Sequence, residues 1–68
     1  METFKTLKTG TIVSYNDMAN VNLEFVILNT EETRFGTFVN VMNLETRHIE
    51  PMSASTEINK RWKIIKGL

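Results

Sequence analysis

Apolar and polar positions alternate along most of the first fifty residues, and the apolar set is rich in β-branched and aromatic side chains, a pattern that predicts strands. Residues 11–15 read as a first strand, entered through Gly10 and left through the Asn/Asp turn chemistry of residues 16–20. Val21, Leu23, Phe25 and Ile27 then alternate with Asn22 and Glu24, giving a second strand with one buried face. Val26 and Leu28 break that alternation, so both faces are expected to be covered near residues 25–28, as in a strongly bent strand of a small barrel. Residues 29–33 contain no Asn-Gly or Asp-Gly pair, which disfavours a two-residue turn and assigns Glu31, Glu32 and Thr33 to a loop. In that register Thr30 faces Arg34, Ile27 faces Thr37, Phe25 faces Val39 and Leu23 faces Val41. The expected core face is therefore Leu23, Phe25, Ile27, Val39 and Val41, with Gly36 marking a bulge, a bend or a close backbone approach.

Asn43, Leu44, Glu45 and Thr46 read as a turn, and residues 47–50 as a short fourth strand stopped by Pro51, which has no N–H for a ladder. Residues 57–66 carry two competing periods. As a helix, Ile58, Trp62 and Ile65 share a stripe, Glu57 pairs with Arg61, and Ser55 or Thr56 caps the start. As a strand, Trp62 and Ile64 point one way and Lys63 and Ile65 the other. We read a helical turn over residues 53–58 followed by a strand over 61–66, and a single domain over 1–68, since no repeat, linker or second domain is visible.

This order of elements resembles the small SH3-like barrels, the group that includes Tudor-like and KOW-like modules. The residues that carry the likeness are Gly10, Thr11, Ile12 and Val13 at the first strand, the run from Arg47 to Pro51, and the run from Arg61 to Ile65. The resemblance implies a mainly β, five-stranded barrel with one short helical turn before the last strand, and it implies a binding module. The chain departs from the proline-peptide-binding SH3 pattern, whose groove needs closely spaced tyrosines and tryptophan, because it has one Tyr and one Trp. With six aromatics in all, most on expected core faces, a methyl-lysine cage is equally short of rings.

Composition narrows the chemistry further. With no cysteine and His48 as the one histidine, neither a disulfide nor a Cys/His zinc site is expected. The longest apolar run, Phe25 to Leu28, is too short for a signal peptide or a membrane span, so a cytoplasmic chain is expected. Ser14, Ser53 and Ser55 lack the glycines of a nucleophile elbow, Gly10, Gly36 and Gly67 stand apart from any phosphate loop, and Glu31 and Glu32 diverge into water. His48, Glu45 and Glu50 are too confined to one short hairpin to favour a metal site. No catalysis, cofactor, metal or small-molecule substrate is expected.

Charge, zero overall, is sorted along the chain. Residues 1–10 carry +1, residues 11–59 carry seven acids against Arg34 and Arg47, and the end carries Lys60, Arg61, Lys63 and Lys66. The leading expectation is a noncatalytic protein-binding module, a small accessory or regulatory factor of bacterial or phage type. It would present Glu31, Glu32, Glu45 and Glu50 to a basic protein partner, or associate with itself through the apolar residues Val26, Leu28 and Phe38. The alternative is a nucleic-acid-binding barrel in which Lys60, Arg61, Lys63 and Lys66 hold phosphates while Trp62 stacks on a base. Against that stands Trp62 as the side chain that closes a small core.

Overall fold

In the computed structural model, which describes residues 3–16, 21–58 and 61–67, a 3-10 turn at Phe4–Thr6 precedes five strands. These are β1 (Ile12–Asn16), β2 (Asn22–Thr33), β3 (Gly36–Asn43), β4 (Ile49–Ser53) and β5 (Trp62–Lys66). They form one antiparallel sheet in the order β4-β3-β2-β1-β5. The class is thus mainly β, as expected, with a four-strand meander and a fifth strand returned beside the first. Among the described residues no ladder joins β4 to β5. The gap is met by the N-terminal segment: the Phe4 and Lys5 N–H groups donate to the carbonyls of Thr56 and Ala54, each at 3.0 Å, while the Phe4 ring reaches Trp62 of β5.

The inner face buries Val13 of β1, Phe25 and Ile27 of β2, and Val39 and Val41 of β3, with Phe4 and Ala54 added from outside the central hairpin. Leu23, expected in the core, is half-buried against it. The two-residue period of β2 holds as far as Ile27 opposite Val41, and there the ladder slips so that Asn29 pairs with Asn40 and Leu28 is the extra residue. That bulge accounts for the broken alternation at Leu28. Its backbone is not stranded, since the Leu28 carbonyl accepts from the Thr9 hydroxyl at 3.0 Å and the Ile27 carbonyl from Gly10 N–H at 2.8 Å. Beyond the bulge, Thr30 and Glu32 lie opposite Val39 and Thr37, so the even-numbered residues of β2 now carry the inner face.

Three local expectations are corrected. The β2–β3 hairpin has the two-residue turn that the lack of Asn-Gly argued against: Thr33 pairs with Gly36 across Arg34 and Phe35, the register is displaced from the expected one, and Glu31 and Glu32 belong to the strand. Gly36, at φ 129°, supplies the left-handed backbone. The Thr33 hydroxyl accepts from Phe35 N–H at 3.1 Å and donates to the Gly36 carbonyl at 3.0 Å, performing the work an Asn or Asp side chain does in commoner turns. A Cβ on Gly36 would meet nothing within 4 Å, so backbone conformation and not a close approach selects glycine.

Pro51 does not stop the fourth strand but sits at its middle. The bonds from Asn43 N–H to the His48 carbonyl and from Ala54 N–H to the Thr37 carbonyl set the phase of this ladder. Glu50 and Met52 therefore turn their N–H groups toward β3, and residue 51 faces the free edge, where a missing N–H costs no ladder bond. Finally, the helical turn is at Phe4–Thr6 and not at residues 53–58, which hold one turn closed by Thr56 N–H on the Ser53 carbonyl, followed by a bridge between Thr3 and Glu57. The expected turn at residues 16–20 lies, Asn16 apart, outside the described residues.

The β3–β4 connection is organised by Asn43, whose side-chain oxygen accepts from Glu45 N–H at 2.8 Å and Thr46 N–H at 3.0 Å. It leaves Arg47 at φ 66°, a left-handed conformation that costs an L residue about 1–2 kcal/mol. Because Arg47 is exposed, Arg47→Gly is expected to raise stability by about 0.5–1 kcal/mol, read as a melting temperature higher by several degrees. Phe4→Ala is expected to cost about 3–5 kcal/mol and to abolish the cooperative thermal transition, with Glu24→Ala, on the exposed face of β2, within about 0.5 kcal/mol of wild type.

Candidate functional site

The four acidic residues singled out from the sequence do not converge. Glu31 lies directly across from Phe38 on the outer face of the β2–β3 hairpin, whereas Glu32, its neighbour, lies on the inner side opposite Thr37. Glu45 is in the connection after β3, at the other end of that strand, and Glu50 is half-buried on β4 opposite Val41. Among the described residues no group of three or more His, Asp or Glu side chains is placed to hold a metal ion.

The basic end is divided by the strand period. Trp62 and Ile64 lie opposite Tyr15 and Val13 and share their inner face, while Lys63 lies opposite Ser14 on the outer face. Trp62 packs in an aromatic cluster, with ring centroids 5.0 Å from Phe4 at 89°, 4.6 Å from Tyr15 and 5.7 Å from Phe25. An indole engaged by three rings is a structural element first. Stacking on a base would have to compete with those contacts. Lys60 lies outside the described residues.

A different surface emerges at the tip of the β2–β3 hairpin. Phe35, in the two-residue turn, is 85% exposed, and it separates two open grooves. One, of about 460 Å³, is lined by Glu31, Thr33, Arg34, Phe35, Phe38 and Pro51. The other, of about 490 Å³, runs from the opposite side of Phe35 toward Lys5, with Thr37, Ser53 and Ser55 along it. The floor between Phe35 and Pro51 is apolar and the rim carries one charge of each sign, Glu31 and Arg34. On the same outer face, Ile12, Val26, Met42 and Ile49 are successive cross-strand neighbours and form an apolar row across four strands. Ile49 at the end of that row is 54% exposed.

Of the sequence-derived residues, Glu31 and Phe38 meet in one groove; Arg34, Phe35 and Pro51 were missed. The signal for Phe35 was the glycine after it: a phenylalanine in the turn of a hairpin has no sheet face to pack on. No family model matches the chain, and no curated protein or solved structure matches it significantly. Its chemistry is therefore read from its own residues. The packing of Trp62 gives a direct test, in which wild-type emission is blue-shifted as for an indole out of water, and Trp62→Ala lowers the denaturant midpoint by an amount worth about 3–5 kcal/mol.

Proposed function

We propose that the protein is a noncatalytic protein-binding module, a small accessory or regulatory factor acting in the cytoplasm, that takes hold of its partner at the hairpin tip. The observation that carries this reading is Phe35. A domain with seven buried apolar side chains among its described residues has little apolar surface to spare, yet it holds a phenylalanine almost entirely in water on a turn with defined hydrogen bonds. Exposed aromatics on rigid scaffolds supply contact area at small entropic cost and are enriched at binding hot spots. The groove beside it suits an apolar side chain of the partner between Phe35 and Pro51, with a basic neighbour against Glu31, so Glu31 is the one acidic residue of the four that this reading retains. The apolar row on the outer face extends the surface available to a larger partner or to a second copy.

The experiment is a selection of peptides on the immobilised chain, repeated with Phe35→Ser and with Glu31→Lys. Peptides pairing an apolar residue with a Lys or Arg are expected to enrich on wild type. Phe35→Ser is expected to weaken them by at least about 2 kcal/mol, the scale of a hot spot, with an unchanged melting temperature, and Glu31→Lys to slow association. Equal binding by Phe35→Ser would remove the hairpin tip from the interface.

A further inference from the structure

We propose that the outer face of β5, with the adjoining part of β1, docks the phosphodiester backbone of a single nucleic-acid strand. This surface lies at the opposite edge of the sheet from the Phe35 groove and stands or falls independently of it. The register of β5 gathers its cations on one face. Tyr15, Ser14 and Val13 pair with Trp62, Lys63 and Ile64 in turn, and then the ladder slips so that Ile12 pairs with Lys66 and Ile65 is the extra residue. In an unbroken strand Lys63 and Lys66, three positions apart, would point to opposite faces. The bulge returns Lys66 to the side of Lys63, the re-aiming of a side chain that bulges perform. Arg61 continues the same face on the other side, its carbonyl accepting from Asn16 N–H at 2.9 Å. Arg61, Lys63 and Lys66 thus form one line of cations, while Trp62 and Ile64 lie on the inner-face side and Ile65, the extra residue, is exposed beside Lys66.

A cleft of about 240 Å³ opens along this line, lined among the described residues by Ser14, Asn16, Asn22, Arg61 and Lys63, none of them a carboxylate. The Asn16 amide donates to the Asn22 side-chain oxygen at 2.8 Å, which fixes both side chains at the cleft. Arg61 spends one donor on the Asn16 carbonyl at 3.5 Å and has four more. Hydroxyl, amide, guanidinium and ammonium donors in one wall are the set that proteins turn toward phosphate oxygens. Glu24, across from Ser14 on β2, bounds the surface on its acidic side. Two strand residues span roughly 7 Å, so Arg61 and Lys63 present successive charges to an extended chain and not a single pocket to one dianion. That spacing favours a run of phosphodiesters over an isolated phosphate. Overall neutrality does not oppose this, because a local line of charge sets the local field.

The test is fluorescence anisotropy of a labelled oligothymidylate titrated with the full chain at several salt concentrations. Three phosphate contacts predict a slope of log K against log salt near −2, and Lys63→Gln combined with Lys66→Gln reduces it to roughly −0.7. Trp62 emission is expected to stay unchanged through the titration, since the indole faces inward. An oligoglutamate of equal charge is expected to compete at least tenfold more weakly. The proposal is overturned by absence of binding at low salt, by an unchanged slope in the double variant, by quenching of Trp62, which would indicate stacking, or by equal competition from the acidic peptide, which would mark a general polyanion surface. Melting temperatures equal to wild type establish that the variants fold.

Discussion

The edge-to-face contact between Phe4 and Trp62 is the interaction on which the arrangement of the chain depends. The sheet presents two strands, β4 and β5, that have no ladder between them among the described residues, and the chain has no disulfide with which to hold its edges. Phe4 is tied by backbone bonds to the segment after β4 and by its ring to β5, so one fully buried side chain couples both ends of the sheet. An aromatic pair of this geometry adds roughly 0.5–1.5 kcal/mol beyond the area it buries. In a domain this small that increment is a sizeable part of the net stability.

Two bulges convert this plain meander into a surface with distinct regions. The slip at Leu28 exchanges which residues of β2 face inward, and so places Glu31 on the outer side with Phe38, beside the exposed Phe35. The slip at Ile65 gathers Lys63 and Lys66 on one face and leaves Ile65 exposed. Both irregularities lie on strands anchored in the core, β2 through Phe25 and Ile27 and β5 through Trp62, so the outward side chains are held by the same packing that stabilises the fold. The exposed apolar tip at Phe35 and the line of cations on β5 thus lie toward opposite edges of the sheet, and a bulge decides which side chains reach each of them.

The strand class, the buried face of the central hairpin and the final strand were legible because they rest on a two-residue period that Phe25, Ile27, Val39, Val41 and Trp62 obey. The hairpin register was not. It turned on one unpaired residue, Leu28, and on a turn built from the Thr33 hydroxyl and Gly36 without the usual Asn-Gly pair. Pro51 misled for a related reason: the rule that proline ends strands applies to residues that donate into a ladder, and phase decides that, which no local sequence signal reveals. Phe4 escaped notice because a single phenylalanine among Thr and Lys has no periodicity, and only the tertiary approach of residues 54–56 and 62 explains it. Among the site residues, Glu31 was expected in a loop and lies instead within β2 opposite Phe38, and its association with Arg34, Phe35 and Pro51 depends on the corrected register.

Pairing of β1 with β5 has a kinetic meaning as well. Bringing Val13 beside Ile64 closes a segment of roughly fifty residues, whereas the β2–β3 and β3–β4 hairpins close short connections. The long closure gains nothing until the inner face of the meander is assembled to receive Trp62, so closure entropy ranks the hairpins ahead of the docking of β5. Native contacts made after the barrier govern how fast a protein comes apart. On that order the aromatic cluster that joins the two ends of the sheet acts as a clasp on unfolding, and loosening it where β5 meets Phe4 would shorten the lifetime of the folded state.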